Sequence, residues 1–278
     1  MAPAGLRKPV AAIPGEPLPH GLLGGCATIE DVTDTHEMLG VEWLALGCCP
    51  VQDWVDPCTT DSDESPGAPA VKEFCRPHVE HAVPHTIYAG TECSAMGWSY
   101  EEARQHVLAS LELGEQQAVE AAFWRDTLAP NAIDLTPADG PVNVASGIAA
   151  LEGCLAETYG GVGTLHVPAG LAAVLGCCNI LRETPAGGLR TLAGNCAVIG
   201  AGYSAMNSGP DGMPAAPGSA WVYISGPVEI RRSPVDVVPD VRGPAINIRN
   251  NDLRVLAERT YVVGTTCTVC AIQVQVCP

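Results

Sequence analysis

From Ser99 to Trp124 the chain reads SYEEARQHVLASLELGEQQAVEAAFW, the one long stretch where a helical pattern runs without interruption. Small or apolar residues return at Ala103, Val107, Leu111, Gly114, Ala118 and Ala121/Ala122, which is one face of a 3.6-residue helix. Ser99, followed three places on by Glu102, makes a capping box, so the start is marked as well as the body. Pro130 marks the end, because proline cannot donate to the backbone ladder. Gly114 costs about 1 kcal/mol against alanine and is expected at a close-packed position. A helix of roughly 25 residues reaches roughly 40 Å at ~1.5 Å per residue. An extended molecule built along one rod is expected.

The 278-residue chain can bury a sizeable core, as one large domain or two interlocked ones. Its 30 Gly and 24 Pro, set against 2 Phe, call for many turns and small β-rich units. A formal net charge of −17 argues against a nucleic-acid-binding module, which needs a basic face to displace counterions. No apolar run approaches the roughly 18 residues of a membrane span, so a soluble chain is expected. The stretch MAPAGLRKPVAAIPGEPLPHG has no apolar core of the kind a secretory signal carries. The 13 cysteines would suggest disulfides in an exported protein. With an odd count, no export signal and a chain far above disulfide-scaffold size, reduced and mostly buried thiols are expected instead.

In chain order, Met1 to about Gly25 carries Pro at positions 3, 9, 14, 17 and 19 and reads as an extended arm without a core of its own. A short helix is expected over 29–39, capped by Thr28. Two β-type arms, one around Trp43 and Trp54 and one from Val71 to Ala82, flank the acidic, proline-punctuated DPCTTDSDESPGAPA. That order suggests a long protruding hairpin with a polar tip. A strand over 85–93 then leads into the long helix. A second helix is expected over 145–159, ending at Gly160–Gly161, and strands at 163–167, 189–191, 197–200, 220–224, 228–231 and through 260–276. Helices and strands in this mixed order indicate an α+β fold.

Three segments invite a chemical reading. Cys75, His78, His81 and His85 are metal-ligand residue types within eleven positions. On a strand, however, His78 and His81 would point to opposite faces. Cys267-Thr-Val-Cys270 is a CxxC that a β-run would split in the same way, and it has no second CxxC to complete a zinc ribbon. Val198-Ile-Gly-Ala-Gly-Tyr-Ser-Ala205 is a strand followed by GxGxxA, but the MNSGPDGMPAAPGS after it is no helix to hold a pyrophosphate. No catalytic constellation emerges, so neither an enzyme nor a cofactor is expected.

From the long helix onward, the wording and order of the segments resemble the major capsid proteins of tailed phages with the Hong Kong 97 fold. A spine-like helix, EEARQHVLASLELGEQQAVEAAFW, precedes IAALEGCLAETYGGVGTLHVPAGLAAVL. LRTLAGNCAVIGAGY is similar to the family's strand, loop and G-x-P-V-V stretch, with Cys196 and Ala197 where proline and valine often stand. AWVYISGPVEIRRSPVDVV looks like the strand pair that follows. NNDLRVLAERTYVVGTTCTVCAIQVQV resembles the closing element, with Glu258–Arg259 intact.

The resemblance implies an amino-terminal arm (1–40) and an extended hairpin, the E-loop (41–85). It implies a peripheral domain (86–130 and 226–262) with the spine helix at 99–124, and an axial domain (131–225 and 263–278). It implies self-assembly into an icosahedral head shell around double-stranded DNA that is not bound sequence-specifically, with scaffold, portal and decoration proteins as further partners and the virion as location. Trp43, Trp54, Phe74 and Lys72 on the hairpin are then candidates for intersubunit contact. Lys72 is the one lysine placed for covalent crosslinking, with no asparagine partner to name. An encapsulin-like nanocompartment is the alternative within the fold, and a Cys/His metal-binding enzyme is the alternative outside it.

Overall fold

The computed structural model describes residues 12–49, 51–54, 72–177, 179–185 and 187–276. The whole of the expected hairpin tip, 56–69, and the first eleven residues of the expected arm lie outside the described residues.

After the arm come β1 (Thr28–Asp31), β2 (Val41–Leu44), β3 (Val79–Ala82) and β4 (Pro84–Ser94). The long helix α1 (Tyr100–Phe123) starts at the expected capping box: the Ser99 hydroxyl accepts the Glu102 N–H, and the Glu102 carboxylate accepts the Ser99 N–H. A single π-helical turn at Trp124–Leu128 carries α1 into a last short helix, α2 (Ala129–Asn131). Pro130 is therefore inside the rod and not beyond it. The wider turn, in which Ala129 N–H reaches the Trp124 carbonyl, takes up the donor that proline lacks.

Next follow β5 (Ala132–Asp134), α3 (Val144–Thr158), β6 (Thr164–Pro168), α4 (Ala172–Cys177), β7 (Arg182–Glu183), β8 (Leu189–Arg190), β9 (Cys196–Gly200) and α5 (Ala201–Ala205). The chain continues through β10 (Ser219–Ser225), β11 (Glu229–Arg232), β12 (Asp236–Val238), α6 (Arg242–Ala245), β13 (Ile246–Asn247), β14 (Asp252–Gly264) and β15 (Val269–Gln275).

Two sheets share the work. In the first, the 13-residue β14 is the axis. β4 runs antiparallel along one edge of it, while β13, β12 and β11 take successive parts of the other, and β1 closes the sheet parallel to β11. β4 alternates exposed and half-buried residues along its whole length. Its inward set, with Ile87, Ala89 and Cys93, packs with Leu253, Val255 and Ala257 against Ala103, Val107 and Leu111 of α1.

The second sheet has the order β5-β15-β10-β6-β9-β8-β7. Its central strand β6 is buried at every position, and α3 covers one face through Ile148, Leu151 and Leu155. The carboxyl-terminal half of α1 lies on the other side, where Val119, Phe123 and Trp124 meet Tyr203 and Tyr223.

Several local expectations are corrected. Residues 28–31 form a strand and not a helix, because the β11 edge offers them a ladder that outweighs local propensity. Gly114 packs against nothing, since a Cβ there would find open space. The run through 260–276 is broken between β14 and β15. The expectation of reduced thiols is also overturned: Cys26–Cys196, Cys48–Cys267, Cys49–Cys75 and Cys154–Cys270 are disulfides. Their partners lie 26 to 219 residues apart, a proximity that only the fold creates.

Candidate assembly surface

The amino-terminal arm is not free of the body. Gln116 Nε2 of α1 donates to the Leu18 carbonyl at 2.9 Å, and one turn on, Glu120 Oε1 accepts the Leu22 N–H at 2.9 Å. Ile199 N–H donates to the His20 carbonyl at 2.8 Å. Leu22 itself is fully buried with Val119, Phe123 and Val198. The second oxygen of Glu120 accepts the Gly202 N–H at the start of α5, at 2.8 Å. A Cβ on Gly202 would lie 2.2 Å from the Gln117 carbonyl oxygen, so only glycine lets α5 come this close to α1.

The GxGxxA segment itself forms the short helix α5, and the MNSGPDGMPAAPGS after it forms none, as expected. The amide aimed where a phosphate would sit is taken by the carboxylate of Glu120. Burial pushes that carboxyl up to about 7, against the backbone N–H groups of Leu22, Gly202 and Ala201, which favour its charged form. Sequence reasoning missed Glu120. Its only signal was a lone charge in AVEAAFW, on a helix face otherwise apolar.

The hairpin is real at its root, where β2 and β3 pair in four antiparallel rungs. Beyond the rungs, Ala45 N–H still reaches the His78 carbonyl, and 51–54 and 72–78 carry no ladder. Trp43 turns inward: the indole lies over Gly264, where a Cβ would come within 2.5 Å of the ring. It lines a groove of about 520 Å³ together with Leu44, Leu46, Tyr159, Val228 and Val262. At the groove's edge Arg231 pairs with Glu30, Glu37 and Glu229.

Farther out, Lys72 Nζ sits 4.7 Å from the centre of the Trp54 ring, a cation–π contact. Phe74 and Val51 are 95% and 102% exposed. Of the four hairpin candidates, Phe74 is presented outward, Trp54 is 37% exposed beneath Lys72, and Trp43 is half-buried against its own chain.

The metal-ligand types are not brought together. The Cys75 sulfur is bonded to Cys49, His78 lies beside Glu80, and His85 lies beside Asp126. Among the described residues, no group of three such side chains surrounds a common point. The CxxC pair is split, but by the break in the run and not by strand alternation: Cys267 lies in the bend after β14 and joins Cys48, while Cys270 on β15 joins Cys154. His166, fully buried, is held neutral between Tyr203 Oη (3.0 Å) and Ser225 Oγ (2.9 Å), with burial lowering its pKa to about 3. It is a satisfied core histidine.

No protein-family model matches the sequence, and no curated protein matches it either. Solved structures do. The capsid of the native GTA particle aligns over 98% of this chain and 96% of its own, at 13% identity and a TM-score of 0.53. The mature capsid of bacteriophage PhiM1 aligns over 98% and 93%, at 13% identity and a TM-score of 0.50. The chain has the Hong Kong 97-type capsid fold. The holo-SrpI encapsulin complex from Synechococcus elongatus PCC 7942 aligns over 99% and 95%, at 10% identity and a TM-score of 0.57. Within this capsid-type fold, the α1 rod, the arm clamped on it and the hairpin beyond the β14 sheet are three parts of one subunit.

Proposed function

We propose that this chain is a major capsid protein that self-assembles into the icosahedral head shell of a tailed, double-stranded DNA bacteriophage. The observation that carries the reading is the end-to-end alignment with phage-type capsid structures. The role is structural and not catalytic. In this reading residues 1–40 are the arm and 41–85 the E-loop. Residues 86–130 and 226–262 form the peripheral domain, and 131–225 and 263–278 the axial domain, whose copies meet at the centres of hexamers and pentamers.

Trp54, Phe74 and Lys72 then contact the neighbouring subunit, since large side chains on a segment without a core need a partner surface. Trp43 fixes the root from which they project. Scaffold, portal and decoration proteins and the packaged DNA are the further partners, and the virion is the location. Among the described residues no helix is long and apolar enough to cross a membrane. The encapsulin likeness supports a second reading, a shell that holds protein cargo instead of a genome.

The test is expression with the assembly factors supplied, followed by negative-stain microscopy and sedimentation. Closed shells are expected, and a compact catalytic monomer would overturn the proposal. Nucleic acid inside shells recovered from infected cells favours the phage reading, and protein cargo favours the encapsulin one. Trp54→Ala with Phe74→Ala should leave the circular dichroism spectrum unchanged and abolish shells. Normal particles from that variant would remove the hairpin from the interface.

A further inference from the structure

Where the ladder of the hairpin stops, a covalent link takes over. Cys49 and Cys75 join the two arms outside the β2–β3 rungs, with Cα atoms 6.0 Å apart. The adjacent Cys48 turns the other way and joins Cys267, in the turn between β14 and β15, across a Cα distance of 5.5 Å. Cys26, at the end of the arm just before β1, joins Cys196 at the start of β9, with a Cα distance of 6.0 Å. All three distances lie within the span a disulfide bridges. The neighbouring Cys48 and Cys49 therefore pin the hairpin root twice, once to the body and once across itself. Around them Val51 and Phe74 are almost fully exposed.

We propose that these cysteine pairs are an oxidative lock that fixes the hairpin root, and with it the arm, to the subunit body. The inference deepens the capsid reading, because the locked elements are those proposed to meet neighbouring subunits. Each link forms by exchange with a small-molecule disulfide such as oxidised glutathione. One cysteine thiolate attacks that disulfide, forming a mixed disulfide and releasing one small thiol. The second thiolate then attacks the mixed disulfide, the Sγ–Sγ bond forms and the second small thiol leaves. The two thiols give up two protons and two electrons, and the small disulfide takes them. A chain made under reducing conditions would carry a loose hairpin, locked on later exposure to oxidant.

The experiment uses the full-length chain equilibrated with oxidised glutathione, alkylated, and digested without reduction for peptide mass mapping. The linkages 26–196, 48–267 and 49–75 are expected; alkylated Cys26, Cys48 and Cys49 would overturn the proposal. In parallel, chymotryptic cleavage after Trp54 and Phe74 should accelerate roughly tenfold on reduction, as the locked conformation loses its covalent hold. A Cys48→Ser, Cys49→Ser variant should be cleaved at the fast rate with or without reductant, and Cys93→Ser should behave as wild type. Cleavage rates indifferent to reductant overturn the lock. A chain that forms no shells yet carries the linkages and the protection supports the lock and overturns the capsid reading. Shells whose thiols remain alkylatable do the reverse.

Discussion

Glu120 is an ionisable residue placed where two chain segments meet on a third. Its carboxylate receives amides from the arm and from α5, yet it sits beneath Tyr203 in a dry core, and desolvation outweighs the hydrogen bonds. A carboxyl whose folded pKa is raised stabilises the fold below its unfolded value of 4.5, and that contribution is lost as pH rises through about 7. The loss is on the order of 3 kcal/mol. Glu120→Gln removes this titration while leaving every other group in place. The difference in unfolding free energy between variant and wild type should therefore shift in the variant's favour from about pH 5 to about pH 8.5. Urea denaturation across that range measures it. A difference that does not move with pH would mean that the carboxylate stays ionised, held by its three amides.

The α1 rod shows how far local sequence reasoning reaches. The capping box and the 3.6-residue period were legible between Ser99 and Trp124, because each rests on residues a turn apart, whereas the continuation past Pro130 was not. Ala118→Pro should remove a ladder bond in mid-rod and cost about 3 kcal/mol or more. Shells recovered at normal yield from that variant would contradict the rod's role as the subunit's support. What the period could not reveal was the turn of the buried face at Gln116 and Glu120, polar residues drawn inward by the backbone of an arm almost 100 residues away. The disulfides were hidden for the same reason. Spacing along the chain says nothing of Cys48 and Cys267, which meet only because β2 returns to the end of β14. The strand at 28–31 likewise needed the β11 edge before it could be recognised. The exposure of Phe74 was legible on a segment with no core of its own, but Trp43 was not separable from it until Gly264 was seen beneath the indole.

For the whole molecule, on the proposed shell reading, the charge decides what can hold copies together. Each chain carries 14 basic and 31 acidic residues, a net charge of −17. Arg104, Arg125, Arg231, Arg232, Arg254 and Arg259 are paired with acids of their own chain. The other eight Lys and Arg are far outnumbered by the acids, so copies of such a chain repel at long range. Cohesion must come from apolar groups such as Leu46, Val51 and Phe74, which are exposed on the single chain. Repulsion between exposed charges falls with salt, the Debye length dropping from about 10 Å at 0.1 M to about 3 Å at 1 M, whereas apolar burial does not weaken. Assembly should therefore improve with ionic strength. At fixed protein concentration, the sedimenting particle fraction should rise between about 0.05 M and about 0.5 M sodium chloride. In the Trp54→Ala, Phe74→Ala variant, salt should not restore particles, since it removes repulsion without supplying contact area. Shells that come apart as salt rises would show subunits joined by ion pairs, with the hairpin's apolar side chains left outside the interface.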